Sequence, residues 1–240
     1  MFVDVMIRRR AKLDEPIPVL NAKLLERFVA VPGVWGEGKT AADAAFEQGE
    51  IGSLDLRESL RDGLSGQVVY MPLFAGYLSK DESKADDILR IRLDTGKVDY
   101  AAFCAETLPQ LIAIFGSYRG YVETDPKVRA SDWEIVRQQS RKTGRNIGGR
   151  GSIFRIWPVC WFDLELSRRA FGITAEEAVR RASPECERAE LVAGCASLIV
   201  TSAIVLGANL DVIDARIKSR LAPVRPHGLA LHRSLAEAVP

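Results

Sequence analysis

The chain has 240 residues, 47% of them hydrophobic and 27% charged, with a formal net charge of +1. That length is enough to bury a substantial core without disulfide or metal staples, and the near-neutral balance argues against a dedicated nucleic-acid-coating protein, which carries a strong basic excess. The four cysteines, Cys104, Cys160, Cys186 and Cys195, form no C-x-x-C pair, and the two histidines, His227 and His232, both lie near the C-terminus; no clustered zinc ligands are expected, and the cysteines read as reduced thiols, some of them buried.

In chain order, residues 2–7 are rich in β formers and predict a strand ending at Arg8, Arg9 and Arg10. In that opening stretch the charges follow the apolar residues and Asp4 interrupts them, a pattern unlike a signal peptide. Pro16 and Pro18 then break the chain, and Leu20, Leu24, Leu25, Phe28 and Val29 mark a helix with one apolar face, closed by Pro32 and Gly33. Residues 41–48 and 54–60 read as short helices, with turns at Gly63 and Gly66. Residues 67–78 read as a strand bent at Pro72, and 81–87 as a charged, solvated connection. Residues 88–94 predict the clearest strand, with Leu89, Ile91 and Leu93 on one side and Arg90 and Arg92 on the other, as in an antiparallel sheet with one wet face.

Asp99 reads as a helix cap, Tyr100, Phe103, Leu108, Leu111, Ile112 and Phe115 as the buried side of the helix that follows, Pro109 as a kink and Gly116 as the stop. Residues 118–123 predict a strand. Ser131 and Glu134 fit a capping box opening a helix that runs to about Arg141. A loop over residues 141–151 carries Arg141, Lys142, Arg145 and Arg150 among four glycines, and residues 153–157 predict a strand that turns at Pro158. Phe162, Leu166 and Ala170 share a helical face, and Thr174 with Glu177 opens a further helix. Residues 191–204 have the composition of a buried central strand, and Leu210, Ile213, Ile217 and Leu221 mark a last amphipathic helix. The longest apolar run, 198–206, is far short of the roughly 20 residues a membrane helix requires, so no membrane partner and a cytoplasmic location are expected. Strands and helices without regular βαβ alternation predict an α+β fold with a largely antiparallel sheet. It is read as one domain over 1–222, with a possible seam near 128–132 and a tail over 223–240.

Two stretches invite chemistry. Residues 33–40 match the phosphate-loop pattern, with Gly33 and Gly38 followed by Lys39 and Thr40, whose lysine and hydroxyl would serve phosphate and magnesium in a nucleotide hydrolase or kinase. That chemistry also demands a buried strand immediately before the loop and a helix after it. The arginine loop is the second stretch: Arg145 and Arg150, with Trp133, Tyr118 and Tyr121 nearby, suit a protein-binding edge, since arginine and aromatic side chains dominate interface hot spots; gripping RNA phosphates is the weaker option for the same loop. With both histidines confined to the tail region, no Ser–His or Cys–His arrangement can be built without it, and no catalytic residue is expected. Trp157 and Trp161 read as core.

The run F-R-I-W-P-V-C-W-F-D-L-E-L-S-R-R-A-F-G-I-T-A-E-E-A-V-R-R-A, residues 154–182, resembles immunity proteins of bacterial polymorphic toxin and type VI secretion systems. The shared layout is a strand, a Pro-Val turn, an F-D-x-x-L helix, a G-[IL]-[ST]-x-E-E helix, an apolar strand and a closing helix; L-R-I-R-L-D-T-G-K-V-D-Y-A-A-F, residues 89–103, fits the strand–turn–helix that precedes it. The likeness covers about half the chain and is one of layout. It implies a protein that binds a cognate cytoplasm-acting toxin and blocks it, with no cofactor and no catalytic group.

Overall fold

The structure, a computed structural model, describes residues 1–12, 14–48, 52–71 and 86–222. Its centre is β1 (Phe2–Arg10), in which Val3, Val5, Ile7 and Arg9 are buried while the residues between them are not. That period of two places one side of the strand against a core. β1 pairs on one edge with β5 (Asp86–Asp94) and on the other with β6 (Arg119–Glu123), both antiparallel. The sheet extends outward through β4 (Leu64–Tyr70), β3 (Gly52–Asp55) and β2 (Ala45–Gln48) on the β5 side, and through β7 (Val159–Asp163), β9 (Cys195–Ile199) and β8 (Arg188–Val192) on the β6 side. Among the described residues the result is a nine-stranded antiparallel sheet with helices packed on it, the α+β class expected.

Two apolar layers lie on opposite faces of this one sheet. The first joins Val3, Val5, Ile7, Leu89, Ile91 and Leu93 to Leu20, Leu24 and Phe28 of α1 (Ile17–Val29) and to Leu111, Ile112 and Phe115 of α2 (Leu108–Phe115). α2 is entered through one α-turn (Tyr100–Ala102), capped by the Asp99 carboxylate, and a π-turn (Phe103–Thr107) in which the Leu108 amide bonds the Phe103 carbonyl. The extra residue in that turn accommodates Pro109, which has no amide to donate and whose ring crowds the preceding turn. Gly116 ends α2 at φ +65°, a left-handed conformation cheap only for glycine. The second layer covers β6, β7, β9 and β8 from the other side with α4 (Leu164–Phe171), α5 (Ala175–Ala182) and α6 (Ala208–Leu221), through Leu166, Ala178, Ala182, Ile213 and Ile217. α3 (Pro126–Thr143) lies beside them; only Asp132 and Val136 along it are buried.

Gly120 of β6 shows how tightly the strands are set. A Cβ there would lie 2.1 Å from Cζ2 of Trp161 and 2.3 Å from the Met6 carbonyl oxygen. The indole of Trp161 is laid over the β6 backbone, its Nε1–H donating to Ser117 Oγ at 2.8 Å.

Several elements differ from expectation. Residues 41–48 form a single 3-10 turn, Ala41–Asp43, followed by edge strand β2, and residues 54–60 contain the end of β3 and a turn, so neither is a helix. Asp86 and Asp87 are not in a solvated connection: they begin β5, at 0% and 2% exposure. The long helix starts at Pro126, where the Asp125 carboxylate accepts from the Lys127 and Val128 amides; the helix is already under way at Ser131, and Glu134 instead pairs with Arg137 and Gln138. Residues 153–157 are not a strand because their polar groups are claimed by helices: Arg155 pairs with Asp132 of α3, and the Ile156 amide donates to Asp214 of α6 at 2.7 Å. The strand starts only after Pro158, and its last residue, Asp163, caps α4 through the Leu166 amide. Residues 191–204 are not one strand; β8 and β9 form a hairpin turning at Ala193 (φ +49°) and Gly194 (φ +81°), a pair of left-handed residues suited to a two-residue connection. Residues 128–132 lie inside α3. The predicted bend at Pro72 and the tail over 223–240, with both histidines, lie outside the described residues. No described helix is long and apolar enough to cross a membrane.

Candidate functional site

The register decides which residues share the incompletely covered face. Met6 stands opposite Tyr121 on one neighbour and Arg90 on the other; Asp4 stands opposite Glu123 and Arg92; Arg8 stands opposite Arg119 and Ile88. Farther out the same face carries Ser65, Gln67, Ser53, Asp55, Glu47 and Ala45. α4, α5 and α6 cover this face over β6–β9, while the β2–β5 part is a shallow polar surface lined by Arg57, Arg90, Arg92, Glu47 and Asp55.

Where the covered and open parts meet lies a groove of about 400 Å³. Its floor is Met6 and Arg8 of β1 with Arg119, Tyr121 and Glu123 of β6; α3 forms one wall, and residues 147–157 form the other. Tyr121 stacks on Trp157 with ring centres 5.9 Å apart and planes 11° from parallel, and the Arg155 guanidinium sits 6.0 Å from the Trp157 ring. Trp133, on α3, lines the groove and is 61% exposed, an unusual position for so large an apolar side chain. Arg155 is held by Asp132 and, at 2.9 Å, by Asp211, which fixes the rim.

The groove has two electrostatic ends. At one, Arg119 donates from Nη1 to the carbonyl oxygens of Gly148 (2.9 Å) and Gly149 (2.8 Å), and burial pushes its pKa down. Arg8 lies beside it and near Tyr121, and its Nε is buried without a hydrogen-bond partner. Beneath them, Asp86 accepts from Arg150 Nε (2.9 Å) and Nη2 (2.8 Å) on one oxygen and from the Tyr118 hydroxyl (2.6 Å) on the other. Burial pushes the Tyr118 phenol up to about 12. At the other end, burial pushes Glu123 up to about 7, with Asp4 adding to the effect while Arg129, 3.2 Å away, opposes it. Asp4 itself is held below the usual carboxylate range: burial works to raise it, but hydrogen bonds from Arg92 (2.9 Å) and Arg90 (2.8 Å) outweigh that. Such a groove can recognise an aromatic or aliphatic group flanked by charge, and Glu123 can exchange a proton near neutral pH.

Of the residues singled out from sequence, Trp133 and Tyr121 meet in this groove. Tyr118 and Arg150 do not reach its surface: they are 3% and 8% exposed, and their partner is the buried Asp86, so they brace the glycine-rich segment rather than form an edge. Arg145 is exposed just beyond the end of α3 and does not line the groove. Arg8, Arg119 and Glu123 were not singled out, and Trp157, read as core, is buried at 4% exposure yet also lines the groove. The alternation of β1, continued past Ile7, puts Arg8 on the side away from the first core, but its pairing with Arg119 is a contact between residues 111 positions apart in sequence.

Residues 33–40 are not folded as a phosphate loop. Helix α1, not a strand, precedes them, and a single 3-10 turn follows. Gly33 and Gly38 do adopt left-handed φ values of +70° and +71°. The Gly36 amide, however, bonds the Ser59 carbonyl, the Lys39 amide bonds Gly36, and Thr40 bonds Asp43 through its amide and hydroxyl. Those donors are spent on local turns and on the 54–60 segment instead of converging on an anion. The cysteines are free; Cys104, Cys160 and Cys195 are buried, and burial pushes Cys104 and Cys195 up to about 12 and Cys186 to about 11, far from the thiolate a nucleophile needs.

No protein-family model matches the chain, and comparison with curated proteins and with solved structures returns no significant match.

Proposed function

We propose that this chain is a toxin-neutralising immunity protein that engages its cognate toxin through the open face of the sheet. The observation that carries the reading is the half-covered face: a polar surface over β2–β5 running into a groove where Trp133 is exposed beside the Tyr121–Trp157 stack. A rigid aromatic and arginine cluster ringed by polar side chains is the composition of interface hot spots, and a strand ladder on both sides keeps it pre-formed, which lowers the ordering cost of binding. From sequence, the resemblance of residues 154–182 motivates the same reading through its F-D-x-x-L and G-I-T-A-E-E helices, which form as α4 and α5, while the strand expected before Pro158 follows it instead. Inhibition by occlusion asks for no catalytic group, and the toxin is one that acts in the compartment where this chain resides, which we take to be the cytoplasm.

The test is co-expression with the products of the adjacent genes, since immunity genes lie beside those of their toxins. One product is expected to arrest growth alone, to be tolerated with this chain, and to co-purify with it at one fixed stoichiometry. Failure of every adjacent product to bind or be neutralised removes the proposal.

A further inference from the structure

We infer that the cationic end of the groove receives the carboxylate of an acidic side chain on an extended segment of the partner protein, with an apolar side chain two residues away resting on the aromatic stack. The inference rests on the binding reading above and adds the chemistry of what is bound.

The first ground is charge. Arg8, Arg119 and Arg150 gather around Asp86, which Arg150 engages directly. Among the described residues neither Arg8 nor Arg119 has a carboxylate within salt-bridge distance, so among those residues neither guanidinium has a direct ion-pair partner. Backbone carbonyls satisfy Arg119 on one nitrogen, and Arg8 Nε has no acceptor. A buried cation without a counter-charge is costly, and an entering carboxylate, which accepts two parallel N–H bonds from a guanidinium, offsets that cost.

The second ground is spacing. Along β1 and β6 the groove floor runs in rows two residues apart: Arg8 with Arg119, then Met6 with Tyr121, then Asp4 with Glu123. An extended segment laid along the strands presents side chains on one side at the same interval, about 6.6–6.8 Å. A carboxylate over the first row therefore puts the side chain two residues on over Met6 and Tyr121, within reach of Trp133. The third row is acidic, which tolerates a neutral or basic residue and repels a second acid.

The same pattern weighs against a nucleic-acid strand. The open surface beyond the groove sets Asp4, Glu47 and Asp55 against Arg57, Arg90 and Arg92, a balanced mixture rather than the run of cations a polyphosphate backbone requires.

The probes are acetylated, amidated octapeptides with one central Glu and one Leu two positions away, made in both orders, with Gln and Lys versions of each and a poly-dT oligonucleotide as the polyanion. They are titrated into the full chain at low ionic strength while the indole Nε1–H resonances of the tryptophans are followed. We expect one Glu peptide to shift the Trp133 signal and to bind at least 10-fold more tightly than its Gln and Lys versions. We expect Arg8→Met to abolish that discrimination, Arg8→Lys to keep part of it, and Trp133→Ala to weaken all three peptides alike. Equal binding of Glu and Gln peptides, binding by none at millimolar concentration, tighter binding of the oligonucleotide, or discrimination that survives Arg8→Met in a folded protein overturns the inference. The wild-type peptide series and Trp133→Ala decide the matter even if Arg8→Met does not fold. A toxin that binds this chain with no loss on Arg8→Met or Trp133→Ala removes the inference and leaves the proposed function standing; Glu-selective peptide binding with no toxin among the neighbours does the reverse.

Discussion

Glu123→Gln isolates the least comfortable charge in the groove. Glu123 is 6% exposed, and burial raises its pKa from an ordinary 4.5 to about 7 even though Arg129 lies alongside. At 1.36 kcal/mol per pH unit, ionising it in the folded protein costs roughly 3 kcal/mol more than in the unfolded chain. The sign follows from proton binding. Between pH 4.5 and 7 the folded state holds a proton that the unfolded state has released, so stability falls as pH rises through this window and levels off above it. Glutamine mimics the protonated acid at every pH. The variant should therefore exceed the wild type by less than about 1 kcal/mol at pH 5 and by roughly 3 kcal/mol above pH 8. Urea denaturation midpoints of both proteins at pH 5, 6.5 and 8.5 measure this directly, and contributions from other titrating groups cancel in the difference. A difference that stays constant across the three pH values, or a wild-type advantage that grows with pH, would show that Glu123 is not held in a charge-averse site.

Three other substitutions probe the scaffold. Asp86→Ala removes the carboxylate that Arg150 and Tyr118 share; breaking this buried ion pair should cost about 3–5 kcal/mol, read as a fall in Tm. Gly120→Ala forces a methyl into the Trp161 ring and the Met6 carbonyl, and should destabilise by about 1–3 kcal/mol or more, with altered Trp161 fluorescence. Ala193→Gly relieves a left-handed alanine in the β8–β9 turn and should raise stability by about 1–2 kcal/mol without affecting partner binding.

The sequence was legible where period and burial coincide. β1 and β5 alternate cleanly because each lies between two neighbouring strands over one apolar layer, and α1 and α6 show their buried stripes at helical spacing. β2 and β3 were missed because they are four-residue strands at the margin of the sheet, rich in Ala, Glu, Gln, Gly and Ser, types with little β preference. The β8–β9 hairpin was hidden inside an apolar run whose only punctuation is Gly194. Ser131 and Glu134 spelled a capping box, yet Asp125 followed by Pro126 is the stronger start, because proline is pre-set for the first helical position. The site was legible only in part for a related reason. Trp133 stands exposed on a polar helix, and Tyr121 lies on a strand that could be read locally. Arg8 acquires meaning only beside Arg119, and Arg150 only over Asp86, 64 residues away. An arginine among glycines looks solvated until its distant partner is known.

The most direct test of the account is a hydrogen-exchange footprint of the complex with the neutralised toxin. Slowed exchange is predicted at the backbone amides of α3, at residues 147–157 and at the outer strands β3 and β4, with the solvent-facing side of α1 unchanged. Protection concentrated on α1, with α3 and residues 147–157 exchanging as in the free protein, would contradict the assignment of the open sheet face as the binding surface.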